Sequence, residues 1–291
     1  MKIHEQCLPC MLNQVIRTLN MLGVQNREAI YRDTLLEMAR IDYNASSPVP
    51  WGKIYTMLKE RIGTDDPYRE IRRKFDALLM KEADAFRDSI RRSEEPLRQA
   101  IRLSIAGNLI DFAAEGEPDR EVVLHTLHTA DAMVLYKDET DVLRGRLLHA
   151  KTMTVLGDNC GEIVMDRLLI EECKRINPAL QVTYAVKGTA VINDVTEEEA
   201  YGIGMDTVAA ILPNGDAAPG TVLTDVSEAF LENYRNADVV IAKGQGNYES
   251  VSEDTEREVF CLLLAKCGHL ARAMGVPARS AVCMRINPAE Q

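Results

Sequence analysis

Gly157-Asp158-Asn159-Cys160-Gly161-Glu162 follows an apolar run at 153–156 and precedes a segment with helical periodicity. That order reads as a strand, a tight turn and a helix start. A carboxylate and an amide oxygen side by side at a strand's carboxyl end are hard-cation ligands, of the kind that Mg²⁺ and Mn²⁺ accept. N–H groups at the helix start, near Gly161, can hold an anion. A second junction runs from 182–186 through Lys187-Gly188-Thr189-Ala190 to Asn193-Asp194. It brings Asp194 beside Asp158 if the two strands are neighbours. In a third, Lys243-Gly244-Gln245-Gly246-Asn247 follows an apolar run at 239–242, so a lysine emerges from a buried strand among glycines that let backbone approach a ligand. Two acids, an amide and a lysine at strand ends compose a metal–phosphate site.

Each feature has an ordinary structural alternative. Asp158 and Asn159 could form an Asx turn with Asn159 capping the helix, but a cap uses one side chain and leaves the other unexplained. Asp194 could be an N-cap, yet Thr196 and Glu199 already have capping-box spacing and leave Asp194 available. Lys243 could be a surface lysine; its place after Val-Val-Ile-Ala favours phosphate contact as a point charge. Asn247 could orient the same phosphate or the turn itself. Asn108 and Asp111, three apart on one helix face, interrupt an apolar stripe either as a satisfied core pair or as cleft-lining groups. Gly220-Thr221 is accounted for by a tight turn. His4, Cys7 and Cys10 have soft-metal spacing, but with no fourth ligand nearby in sequence a buried helix start explains them as well.

The elements that must position these groups divide near residue 150. Residues 1–150 read as helical: Leu8, Leu12, Val15, Leu19 and Leu22 mark one helix face, and a second helix spans 26–43. A loop at 46–50 precedes a further helix through Leu58. Asp66 is the expected N-cap, with Pro67 at the first position, of a helix carrying Ile71, Phe75 and Leu78. Ile101, Ile105, Leu109 and Phe112 form a later stripe, and Pro118 begins a shorter helix. Residues 151–291 alternate apolar runs at 152–156, 181–186, 207–212 and 238–242 with helical patterns at 162–176 and 225–235, the texture of an α/β domain with a largely parallel, Rossmann-like sheet flanked by helices. The run at 259–266 suits a buried strand or a helix, and 280–286 suits an edge strand. The expected boundary has no long linker, so the helical half should pack on the cleft.

Taken in order, Gly-Asp-Asn-x-Gly-Glu-Ile-Val-x-Asp, Ile-Asn-Asp-Val-Thr and Lys-Gly-Gln-Gly-Asn resemble the motifs of the metal-dependent damage-control phosphatases, formerly a domain of unknown function, number eighty-nine. Ala106-Gly-Asn-Leu-Ile-Asp-Phe112 resembles the family's helix motif, and Cys7-Leu-Pro-Cys10 the amino-terminal pair of its prokaryotic branch. The resemblance runs from residue 7 to about Lys266 and makes 259–266 a strand. It implies that Asp158, Asn159 and Asp194 ligate one divalent cation (Mn²⁺, Mg²⁺, Co²⁺ or Ni²⁺). It further implies that Asn108 and Asp111 line the cleft, that Gly220 and Thr221 contact the substrate, and that the substrates are sugar phosphates, phosphorylated cofactor fragments or damaged forms of them. The residues themselves add Gly161 N–H and Asn247 as phosphate contacts and Glu162 as a group that positions the attacking water or caps the helix.

Composition sets limits on the alternatives. The 291 residues suffice for one large domain or two small ones, and the 46% hydrophobic content is that of an ordinary globular protein. No apolar run approaches the ~20 residues of a membrane helix, and the amino terminus lacks a signal-peptide core, so a cytoplasmic location is expected. The net charge of −11 argues against nucleic-acid binding, which demands clustered Lys and Arg. It also makes an acidic phosphatase dependent on its cation. Seven scattered cysteines are not a disulfide framework. Two rivals stand beside the phosphatase: an adenosylmethionine-dependent transferase, weakened by the missing G-x-G-x-x-G after the first strand, and a non-catalytic phosphometabolite-binding protein. Oligomeric state is not encoded in any of these patterns.

Overall fold

The computed structural model describes residues 1–108, 120–254 and 256–287. Its strands β1 (Leu135–Asp138), β2 (Thr152–Leu156), β3 (Gln181–Val186), β4 (Ala210–Pro213), β5 (Val239–Lys243), β6 (Val259–Leu264) and β7 (Ala281–Ile286) form one sheet in the order β1-β7-β6-β5-β2-β3-β4. From β6 through β5, β2 and β3 to β4 every pairing is parallel. β7 is antiparallel to β6, and β1 runs parallel to β7. The chain moves from β2 outward to β3 and β4, then returns to lay β5 and β6 on the other side of β2. Ligands of open α/β sheets bind at the strand carboxyl ends where such a reversal occurs.

The first helices of the described residues are α1 (Cys7–Met21), α2 (Glu28–Ala39), α3 (Pro48–Ile62), α4 (Arg69–Met80), α5 (Ala83–Arg92) and α6 (Pro96–Gly107). Prolines begin α3 and α6, where their missing N–H costs nothing. Later helices are α7 (Arg120–His128), α8 (Thr140–Leu147), α9 (Glu162–Ile176), α10 (Glu197–Gly202), α11 (Glu228–Asn236), α12 (Gly244–Val251) and α13 (Gly268–Met274). Thr196 and Glu199 make the expected capping box on α10.

Several expectations shift. Asp66 and Pro67 do not open α4, which begins at Arg69; the Asp66 carboxylate is drawn instead to Arg72 at 2.5 Å. β7 is not an edge strand, because β1, from before residue 150, pairs along its outer side. The sheet therefore reaches back past the change in composition. Leu109, Phe112, Pro118 and Asp111 lie outside the described residues.

The halves share a core. Met153 and Val155 of β2 join a cluster that includes Phe75 and Leu79 of α4, Leu103 and Ile105 of α6, and Ile163 and Leu169 of α9. Leu156, Val240, Ala242 and Leu263 project to the other face with Phe230 and Tyr234 of α11, as strand alternation requires. At roughly 1.5–3 kcal/mol per fully buried Leu or Ile, the seam between helices and sheet is part of the main core. Gly107 lets α6 meet α9 closely: a Cβ there would stand 3.0 Å from the Cα of Glu162.

Arg72 ties the helical half to the sheet's loops. It pairs with Asp66, meets the buried Glu199 at 3.1 Å and donates to Ile192 O at 3.3 Å. Arg72→Ala leaves Glu199 without its cation, so we expect a loss of about 3–5 kcal/mol, measurable by urea unfolding; a loss below about 1 kcal/mol contradicts this linkage.

Candidate active site

The carboxyl ends of β2 and β3 are joined by backbone. Cys160 N–H donates to Asn193 O and Val195 N–H to Asp158 O, both at 2.9 Å, and Asn159 and Asp194 form an isolated antiparallel bridge. Asp158, Asn159 and Asp194 are thereby brought together. The turn that achieves this holds Ile192 at φ 45°, a costly conformation for a β-branched residue. Arg72 grips the Ile192 carbonyl.

The side chains form two layers. Asp158 Oδ2 accepts from Asn108 Nδ2 at 2.6 Å and Asn159 Nδ2 at 2.7 Å. The same two amides donate to Glu162 Oε2 at 2.8 and 3.3 Å. Because the donor side of Asn159 is engaged, its amide oxygen is the atom available to a cation. Behind this layer, Lys243 Nζ donates to Glu162 Oε1, to Asp166 Oδ1 at 2.7 Å and to Ser104 O at 3.3 Å. Ser104 Oγ and Tyr184 Oη complete the shell of Asp166 at 2.7 and 2.9 Å.

Charge is the dominant feature. Asp158, Glu162, Asp166 and Asp194 are all buried, and the buried lysines among them are Lys243 and Lys187. Four carboxylates against two ammoniums leave an excess of two negative charges when all are ionised. Burial first, then the nearby Glu162 and Asp194, push the Asp158 carboxyl well above its ordinary range. Burial likewise raises Asp194 to about 6, against the pull of Lys187 and the Gly220 N–H. Asp194 Oδ2 is buried without a hydrogen bond, with Lys187 Nζ 3.6 Å away. A divalent cation matches this oxygen donor set and its charge excess.

Gly244 begins α12 at φ 73°, and a Cβ on it would run into the Asp158 carboxylate. Only glycine permits that approach, so the third junction serves the first by backbone.

Several residues do other work than the sequence suggested. Lys243 has no exposure, and its three acceptors use all three N–H bonds, so no donor faces a phosphate. Glu162 is fully buried and holds Asn108 and Asn159 instead of reaching a water or substrate. Gly161 N–H does not await an anion: Asp76 Oδ1, from α4, accepts it at 2.6 Å. The acceptor at this helix N-terminus is the protein's own. Asn247 is buried, donating to Gly157 O and Lys243 O at 2.9 and 2.8 Å and accepting from Thr221 Oγ1 at 2.7 Å. Asn247 and Thr221 thus brace the turns, and the backbone N–H of Gly220 lies near enough to Asp194 to pull its carboxyl downward. Asp111 lies outside the described residues.

The sequence reasoning missed Asp76, Ser104, Asp166 and Lys266. Lys266 is exposed just past β6, and its charge acts on Asp158. The available signal was the same as for Lys243, a lysine ending an apolar run. Asp76 carried no signal, since its partner is distant in the chain.

Buried acids clustered at a topological switch point mark an α/β protein whose oxygen donors suit a divalent cation. The damage-control phosphatase ARMT1-like domain matches residues 3–282, and the chain belongs to that family. It is 34% identical over 291 residues to a damage-control phosphatase of Pyrococcus horikoshii, with 98% of each chain covered. A damage-control phosphatase of Archaeoglobus fulgidus is 28% identical over 282 residues, covering 95% of this chain and 96% of its own. The crystal structure of a DUF89 family protein from Pyrococcus horikoshii superposes with a TM-score of 0.86 at 32% identity, covering 98% of this chain and 99% of that one. Membership implies a divalent metal. Among the described residues no helix is long and apolar enough to cross a membrane.

Asp76 gives a pH signature. Burial raises its carboxyl to about 7 from 3.8, with the Gly161 hydrogen bond pulling the other way. A folded value above the unfolded one means the unfolded chain releases its proton first, so stability falls as pH rises from about 4 to about 7 and is level beyond. Asp76→Asn retains an oxygen acceptor for Gly161 N–H and removes the ionisation. The variant's stability relative to the wild type should increase across that window in urea titrations of the metal-stripped protein. A difference that does not vary with pH refutes the assignment.

Proposed function

We propose that the protein hydrolyses the phosphomonoester of small phosphorylated metabolites with one divalent cation held by Asp158, Asn159 and Asp194. The observation carrying this reading is the convergence of those three groups, with the acids buried, mutually repelling and short of positive charge. A cation bound there supplies Lewis acidity toward the phosphoryl group and an activated water.

The chain's own residues do the positioning. Asn108 and Glu162 fix the rotamers of Asp158 and Asn159. Lys243, raised in its hold on the proton because Asp166 and Glu162 overcome the cost of burial, keeps Glu162 facing the two amides. Lys266, exposed beside the acids, is the cation we assign to the phosphate. It takes the part first expected of Lys243. Asp158 is pinned by two amides and closed in by Gly244, which suits a ligand better than a nucleophile. Sugar phosphates and phosphorylated cofactor fragments, damaged or intact, remain the proposed substrate class, and Mn²⁺, Mg²⁺, Co²⁺ and Ni²⁺ the proposed ions.

The test is phosphate release by stripped protein, with single metals re-added against a panel of phosphometabolites. Asp158→Asn should lower turnover by roughly 10³-fold. It should also stabilise the metal-stripped protein, because it removes a repelled buried charge, and abolish the rise in Tm that Mn²⁺ gives the wild type. Full activity in the purified variant defeats the proposal. Lys266→Ala should raise KM by roughly 10-fold or more with Mn²⁺ affinity intact, about the worth of one charge-assisted contact. An unchanged KM removes Lys266 from the phosphate.

A further inference from the structure

The seven cysteines segregate. Cys160, Cys173, Cys261 and Cys283 are buried, whereas Cys7, Cys10 and Cys267 are partly or fully exposed. The exposed three come from opposite ends of the chain, the start of α1 and the turn between β6 and α13, yet they meet. The His4 ring stacks on His269 with centroids 4.1 Å apart and planes 18° from parallel. This seats the segment before α1 on the first turn of α13. Cys7 Sγ lies 3.9 Å from Ser47 Oγ, and Cys267 Sγ lies 3.9 Å from Gln245 Nε2. Those two partners flank Glu249, which Gln245 reaches at 2.6 Å and whose carboxyl Ser47 lies near enough to pull downward. Cys10 lies close enough to feel both other thiols.

We propose that Cys7, Cys10 and Cys267, with one imidazole from His4 or His269, form a second metal site, for a zinc-class divalent ion. A CxxC pair is half of a structural zinc site, and its other half comes from elsewhere in the chain. In sequence that half was missing. In the fold it is Cys267-Gly268-His269. Thiolates and imidazole favour zinc-like ions over hard ions such as Mg²⁺ and Mn²⁺, which the oxygen site suits, and sulfur ligation distinguishes the two sites. Glu249, buried beside the thiols and unused by the phosphatase reading, is the kind of outer carboxylate that orients ligands. Among the described residues no three His, Cys, Asp or Glu side chains already converge on one point. The ligands therefore close by rotamer changes as the ion binds, which the exposure of the three thiols permits. The ion would clamp the chain's first helix to the residue next to Lys266, fixing the lysine that acts on Asp158.

The experiment uses the full chain, stripped of metal and then given Zn²⁺ or Co²⁺ alone. After desalting, the wild type should retain about one Zn²⁺ per chain, and Zn²⁺ should protect Cys7, Cys10 and Cys267 together from alkylation, read by peptide mass spectrometry. Co²⁺ should give sulfur-to-cobalt charge-transfer absorption that saturates at one equivalent. Cys7→Ser and Cys267→Ser should each weaken zinc retention at least tenfold. The remote, exposed His125→Ala and the oxygen-site Asp158→Asn should retain zinc, which separates this site from the phosphatase centre. Cobalt spectra without sulfur bands, or zinc that leaves Cys267 open to alkylation, overturn the proposal even if the serine variants do not fold. So does a folded Cys267→Ser that keeps its zinc.

Discussion

Repulsion among buried carboxylates at the ends of β2 and β3 governs this structure. Two like charges about 4 Å apart cost about 4 kcal/mol at an effective dielectric of 20, and Asp158 faces both Glu162 and Asp194 from a buried position. The fold answers part of this charge with lysines. Lys243 neutralises the inner pair, Glu162 and Asp166, and Lys187 stands against Asp194. What the lysines leave is an excess localised on the ligand-type oxygens, which the proposed divalent cation would relieve. Under that proposal, activity and stability are coupled through one electrostatic deficit.

The helical half is structural to the site rather than an appendage. Asn108 and Ser104 reach the acids from the end of α6, Asp76 closes the N-terminus of α9, and Arg72 holds the turn that presents Asp194. Each contact crosses between halves whose apolar faces form one core. Moving the helices would open the carboxylate cluster to water and release the rotamers of Asp158 and Asn159 together. The His4–His269 stack likewise ties the segment before α1 to α13.

Parts of the site were legible because local patterns encode them. An apolar run ending in Gly-Asp-Asn announces a strand exit, and the helix over 162–176 and the capping box at Thr196 follow local rules that hold in the fold. Lys243 was legible as a strand-end lysine but not in its direction. Whether such a lysine faces a ligand or an inner carboxylate depends on Glu162 and Asp166, more than 70 residues away. Gly161 misled for a similar reason: an uncapped helix start looks like an anion site until a distant carboxylate, here Asp76, is found to occupy it.

By itself the sequence determined the elements and the chemical types at their ends. Hydrophobic period, glycine and capping residues act over a few positions, so the alternation of strands and helices after residue 150 and the oxygen donors at 158, 159 and 194 could be read without coordinates. The tertiary structure alone decided which donors share a site and which way each points. Strand order sets β2 between β3 and β5, placing Gly244 against Asp158. The packing of α6 and α4 onto α9 selects Asn108 and Asp76 as partners. Electrostatics and close packing act through space, and residues that neighbour one another in space carry no mark of it along the chain.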